Sequence, residues 1–189
     1  MRRKIIAVVG DASIDENSIK HRMAFETGRA IIDCGFRLQC GGLSGAMRSA
    51  CMGAHASKNY KDGDTIGILP TFDINTANEF VDIAIPTGLD MYRNTIVSNA
   101  SAVITIGGGA GTLCEVANAW TLKRLIIAYS NCEGTSALCA GRRMDVRIRY
   151  PDIPEDMVYP ATTVDEAMKL LVKYIDKYTI YHTGITPGH

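Results

Sequence analysis

The chain has 189 residues, 47% of them apolar, and its 20 Lys and Arg balance its 20 Asp and Glu. A chain of this length and composition buries a core of its own, which excludes intrinsic disorder and reads as a single domain over 1–189. A formal charge of zero removes the general attraction on which nucleic acid or an anionic membrane relies, so neither is expected as a partner.

The first segment, "MRRKIIAVVG", starts basic, but its apolar run stops at Gly10 and Asp11. It is too short for a signal-peptide core or a membrane span, so a cytoplasmic location is expected. Further along, β-rich apolar runs at 4–11, 36–42, 64–70, 80–86, 102–108 and 124–130 alternate with helix-like stretches at 17–35, 44–57, 91–101 and 111–124. Most of the strand-like runs lack a polar alternate position, as parallel strands covered on both faces do. A last helix is predicted over 163–178, where Thr163 and Glu166 have capping-box spacing. This alternation predicts an α/β fold, a three-layer α/β/α sandwich on a Rossmann-like, mostly parallel sheet of about six to seven strands.

The stretch 130–157 is the least regular and reads as a mobile flap, and 179–189 reads as a tail. Arg142, Arg143, Arg147 and Arg149 in the flap reach either toward an anionic ligand or into solvent. The six cysteines show no CxxC spacing and read as reduced thiols. His21, His55, His182 and His189 are scattered, so no metal site is expected.

Two glycine-rich segments stand where predicted strands run into predicted helices: "CGGLSGAM" at 40–47 and "GGGAGT" at 107–112. In open parallel sheets, ligands bind beyond the carboxyl ends of the strands. A helix N-terminus there offers unpaired N–H groups, and glycine lets an anion approach them. Each segment read singly is also a tight strand-to-helix turn; two of them point to a phosphate-bearing ligand. Gly42, Gly45, Gly108, Gly109, Gly111 and Thr112 are therefore candidate phosphate contacts. No Lys-Ser/Thr follows the glycines, which excludes a Walker A loop. The GxGxxT pattern sits on a late strand and no acid closes "LIIAY", which disfavours NAD.

Glu115 has two readings. Thr112-Leu113-Cys114-Glu115 is a capping-box spacing, so Glu115 reaches back to the Thr112 N–H. Alternatively, it faces the sugar of a nucleotide whose phosphate rests on Gly109–Thr112. The helix dipole then favours its ionised form, suited to stabilising an oxocarbenium ion or orienting a water. Arg93, in "DMYRN", is either a phosphate or ribose clamp or a surface arginine. Asp11 is a spare carboxylate or a turn residue; Ser13 and Asn94 are further candidates. No matching pair of carboxylates supports a two-carboxylate glycosidase.

With these residues in view, the chain resembles the Rossmann-like superfamily of the LOG-type nucleoside 5′-monophosphate phosphoribohydrolases and the molybdenum cofactor carrier proteins. The pattern Pro-Gly-Gly-x-Gly-Thr-x-x-Glu falls on Gly107 to Glu115, and a Gly-Gly…Gly-x-Met element on Gly41, Gly42, Gly45 and Met47. The resemblance implies that Gly108–Thr112 and Gly42–Met47 hold phosphate and that Glu115 occupies the hydrolases' catalytic position; in a hydrolase Glu115 would stabilise the cationic transition state and Arg93 would hold the substrate. Two departures stand out: Gly107 replaces the proline, and Met91-Tyr92-Arg93-Asn94 replaces Met-x-x-Arg-Lys. Both are closer to the carrier branch. The expected function is thus a carrier of a nucleotide or a molybdenum-cofactor-like pterin, with a homo-oligomer, dimer or tetramer, implied by the superfamily. The alternatives are a phosphoribohydrolase releasing base and ribose 5-phosphate, or a nucleotide sensor. Lysine decarboxylase, a label attached to this superfamily, is rejected because nothing frames a pyridoxal-binding lysine.

Overall fold

The structure is a computed structural model that describes residues 2–184; the last part of the tail, His189 included, lies outside the described residues. Seven strands are present: β1 (Ile5–Gly10), β2 (Arg37–Cys40), β3 (Thr65–Leu69), β4 (Ile83–Pro86), β5 (Ala102–Ile106), β6 (Leu125–Tyr129) and β7 (Val158–Ala161). They form one sheet in the order β4-β3-β2-β1-β5-β6-β7, and every pair is parallel. The helices are α1 (Ile19–Asp33), α2 (Ala46–His55), α3 (Asn94–Ser98), α4 (Ala110–Thr121), α5 (Thr135–Cys139) and α6 (Val164–Tyr174).

Alternation along the strands divides the core in two. Ile6, Val8, Ile104, Ile106 and Ile127 face α1, α2 and α6, where Met23, Ala50 and Leu171 meet them. Ala7, Val9, Val103 and Ile126 face the other way, onto Val97 of α3 and Val116 and Trp120 of α4. Both faces of the central strands are therefore apolar, which is why these runs lack a polar alternate position. The three-layer sandwich expected from the sequence is the observed fold.

The chain lays down β1 to β4 in one direction, then returns to place β5 on the other side of β1. Connections from β1 and β5 thus leave toward opposite faces, and a crevice opens at their carboxyl ends. That switch point sets the position of the site.

Three local expectations change. The predicted helix at 91–101 is a 3₁₀ turn, Asp90–Arg93, followed by the short α3. The irregular stretch at 130–157 contains α5 and leads into a seventh strand, β7, at the sheet edge. Pro160 is tolerated there because an edge strand has one side without a partner. Finally, the arginines of this stretch lie away from the glycine loops. The Gly141 N–H bonds the Val158 carbonyl and the Val158 N–H bonds that of Arg142. Val158 begins β7, so the segment is fastened at the end of the sheet where the parallel strands start.

Arg149 is buried, neither solvated nor facing a ligand: it chelates Asp156 at 2.9 and 2.6 Å and donates to the carbonyls of Trp120 and Arg124. Its guanidinium lies 3.6 Å from the Trp120 ring centroid. A buried guanidinium is retained only when paired and hydrogen-bonded in this way. Arg142, Arg143 and Arg147 are exposed on the same edge. All six cysteines are free. Among the described residues no helix is long and apolar enough to cross a membrane, and no group of three or more potential metal ligands occurs.

Candidate functional site

The end of β1, the β2–α2 loop, the turn before α3 and the first turn of α4 enclose a cleft of about 230 Å³ at the switch point. Gly41 and Gly107 are among the glycines here that close approach requires. A Cβ on Gly41 would collide with the Arg93 guanidinium. Gly107 has φ of +63°, and a side chain there would strike the Asp11 carboxylate and Lys20 Nζ.

Helix α4 begins at Ala110 with Gly109 as its N-cap, so no side chain caps it. The N–H groups of Ala110, Gly111 and Thr112 precede the first intrahelical bond, from Leu113 to the Gly109 carbonyl. They have no acceptor among the described residues. Nothing stands within 4 Å of the position a Cβ would take at Gly109 or Gly111. An uncapped, unobstructed helix end of this kind presents three donors and a positive dipole end to an anion. The Thr112 hydroxyl donates to the Gly10 carbonyl at 3.2 Å and ties this turn to β1.

The early start of α4 overturns the capping-box reading. Thr112 lies inside the first turn and is not the N-cap, and Glu115, in the second turn, accepts from Arg93 Nη1 at 3.2 Å. Both residues are buried, Glu115 at 7% and Arg93 at 8% exposure. Burial pushes the Glu115 carboxyl up to about 7, against the opposing pull of the Arg93 charge and hydrogen bond. The dipole-favoured ionised form expected from the sequence is thus outweighed by desolvation. Arg93 keeps a buried Nε–H without an acceptor among the described residues.

Of the candidates named from the sequence, Asp11, Met47, Arg93, Asn94, Gly109, Gly111, Thr112 and Glu115 line this one cleft. Ser13 and Gly45 line a neighbouring cavity of about 200 Å³ together with His21, Arg48 and Ser49. Gly42 packs against Leu69, and Gly108 lies under Thr112. Sequence reasoning missed Lys20, whose Nζ donates to Asp11 Oδ2 at 2.6 Å above Gly107. A signal existed: a lysine in the first turn of a helix faces the unfavourable end of the dipole, so such a residue has another reason to be there.

Comparison with known proteins agrees with this architecture. Residues 3–158 match the model of the SLOG cluster4 family. An uncharacterized protein of Archaeoglobus fulgidus is 37% identical over 118 residues, which span 62% of this chain and 74% of that protein. The molybdenum cofactor binding protein from Rippkaea orientalis superposes with a TM-score of 0.74 at 29% identity, over 93% of this chain and 99% of that one. The molybdenum cofactor carrier protein from Chlamydomonas reinhardtii gives a TM-score of 0.70 at 30% identity, with the same coverage. With its LOG-like Rossmann sheet and a family match over most of its length, the chain belongs to the SLOG cluster4 family.

Proposed function

We propose that this protein is a carrier that binds a phosphorylated small molecule, a nucleotide or a molybdenum-cofactor-like pterin, in the cleft at the switch point. The observation that carries this reading is the uncapped N-terminus of α4 opening on the cleft, with Arg93 beside it holding a buried donor in reserve. The likeness to two proteins described as molybdenum cofactor binding and carrier proteins supports a cargo of that class. The exposed Phe72, Met91 and Tyr92 near the turn that bears Arg93 support a homo-oligomer, dimer or tetramer, which sedimentation would test.

The test is incubation with a panel of nucleoside 5′-monophosphates, read by thermal melting and by chromatography. A ligand-dependent rise in melting temperature without free base is the expected result. No shift with any phosphorylated ligand would remove the proposal.

One observation favours a second reading, phosphoribohydrolase. Glu115 titrates near neutrality beside Arg93 inside the cleft, as a group exchanging protons with a substrate does. The bond between ribose C1′ and the base nitrogen would break, water would add its oxygen to C1′, and the base would leave with a proton. Free base that disappears in Glu115→Gln would establish it.

A further inference from the structure

The glycine loop after β5 turns its carbonyls one way. In an extended strand successive carbonyls point to alternate sides. Those of Gly107, Gly108 and Gly109 instead all meet the first turn of α5. The Ser136 N–H donates to the Gly107 carbonyl at 2.9 Å and the Thr135 N–H to that of Gly108 at 2.7 Å; Thr135 Oγ1 donates to that of Gly109 at 2.8 Å. Gly107 and Gly108 reach this arrangement with φ of +63° and +94°, backbone that glycine adopts without strain.

A trans amide plane is rigid, with the carbonyl of one residue antiparallel to the N–H of the next. Holding the Gly108 and Gly109 carbonyls on α5 therefore holds the N–H groups of Gly109 and Ala110 in the opposite direction. The sheet order says what lies there. β5 has β6, which leads into α5, on one side and β1 on the other. Away from α5 is thus the β1 side, where Gly10, Asp11 and Ala12 line the cleft together with Gly109. Neither N–H has an acceptor among the described residues.

Thr135 and Ser136 are buried and do not line the cleft themselves. Ser136 is anchored in turn: its Oγ lies 2.6 Å from the Thr105 carbonyl and 2.9 Å from that of Tyr129, near the ends of β5 and β6. The back of the glycine loop thus rests on a plate fixed to the sheet. We infer that Thr135 is a positioning residue of the anion site: its N–H and hydroxyl set the two peptide planes that aim the Gly109 and Ala110 N–H groups at the cleft. The inference rests on the phosphate reading of the α4 end. It adds a residue that never touches the ligand, in a stretch whose sequence reads as a flap. A loop already held in the binding geometry loses little freedom when an anion arrives, and that is what the hydroxyl contributes.

The experiment is titration calorimetry of the full chain with inorganic phosphate and with 5′-AMP, for the parent, Thr135→Val and Thr135→Ser, with each protein melted in parallel. Thr135→Val should weaken both ligands roughly 3–10-fold, the worth of one hydrogen bond, and Thr135→Ser should restore the affinity. Melting temperatures should stay close to the parent's, because the Gly109 carbonyl keeps the Leu113 N–H at 3.0 Å. In amide NMR spectra, phosphate should shift the Gly109 and Ala110 N–H resonances of the parent, and shift them less in Thr135→Val. Parent-like affinity in Thr135→Val would overturn the role of Thr135 and leave the phosphate reading standing. An equal loss in Thr135→Ser would overturn it too, since the cause would then be packing of the methyl group. If the parent binds neither ligand, the phosphate reading falls and the role of Thr135 with it. Should Thr135→Val fail to fold, the parent spectrum decides: Gly109 and Ala110 resonances unmoved by bound phosphate would overturn the inference.

Discussion

Arg93 Nη1 and Glu115 Oε1 lie 3.2 Å apart in a pair that joins the turn before α3 to the second turn of α4. The pair closes the floor of the cleft, and its two members are unequally served. Glu115 is held in an environment that favours its neutral form, while the Arg93 Nε–H is buried without an acceptor among the described residues. Arg93→Ala removes the charge that lowers the Glu115 pKa and leaves a buried carboxyl that adapts by staying protonated. The expected cost is about 1–3 kcal/mol in urea unfolding at pH 7, with at least a tenfold loss of inorganic phosphate affinity. Unchanged phosphate affinity would show that Arg93 is structural only.

The raised Glu115 pKa makes stability pH-dependent with a definite sign. Between the ordinary carboxyl value of 4.5 and about 7, the unfolded chain has released this proton and the folded chain still holds it. The unfolded state binds fewer protons there, so stability falls as pH rises through that window. The loss from this group is on the order of 3 kcal/mol. Urea unfolding from pH 4 to 8 should show Glu115→Gln with a flatter profile than the parent; parallel profiles would place the neutral titration elsewhere.

Gly111→Asp separates binding from folding. No atom lies within 4 Å of the new Cβ, and an acid in the first turn of a helix suits its dipole. The variant should melt within a few degrees of the parent yet lose phosphate binding, because its carboxylate sits where the anion would. Gly107→Ala should do the reverse and destabilise by roughly 1–3 kcal/mol, since a positive φ and the Asp11 carboxylate both oppose a side chain there. Calorimetric melting of the two variants side by side checks both expectations.

Arg149→Ala should cost roughly 3–5 kcal/mol, because it leaves Asp156 buried without its partner and removes the plate stacked on Trp120. Phosphate affinity should not change in the folded fraction, since Arg149 sits at the opposite end of the sheet from the cleft. A fall in affinity at temperatures where the variant remains folded would mean that this edge communicates with the site.

The strand runs, the glycine segments after the second and fifth strands, and the capped start of α6 at Thr163 are all legible in the sequence, because each depends on neighbours along the chain. Apolar continuity in "AVITI" follows from burial on two faces, and Gly107 and Gly109 follow from the turn into α4. So residue order by itself determined an open parallel sheet with a glycine-rich turn into a helix at a strand terminus. Tertiary structure decided what the charged side chains do. The same spacing that reads as a capping box from Thr112 to Glu115 dissolves once α4 begins at Ala110, and Glu115 finds Arg93 across 22 residues of chain. Lys20 meets Asp11, and Arg149 meets Asp156 and Trp120, only where crossovers bring separate elements together. A long flexible side chain has several partners within reach of its backbone, and burial, which no local pattern encodes, selects the one that satisfies its charge.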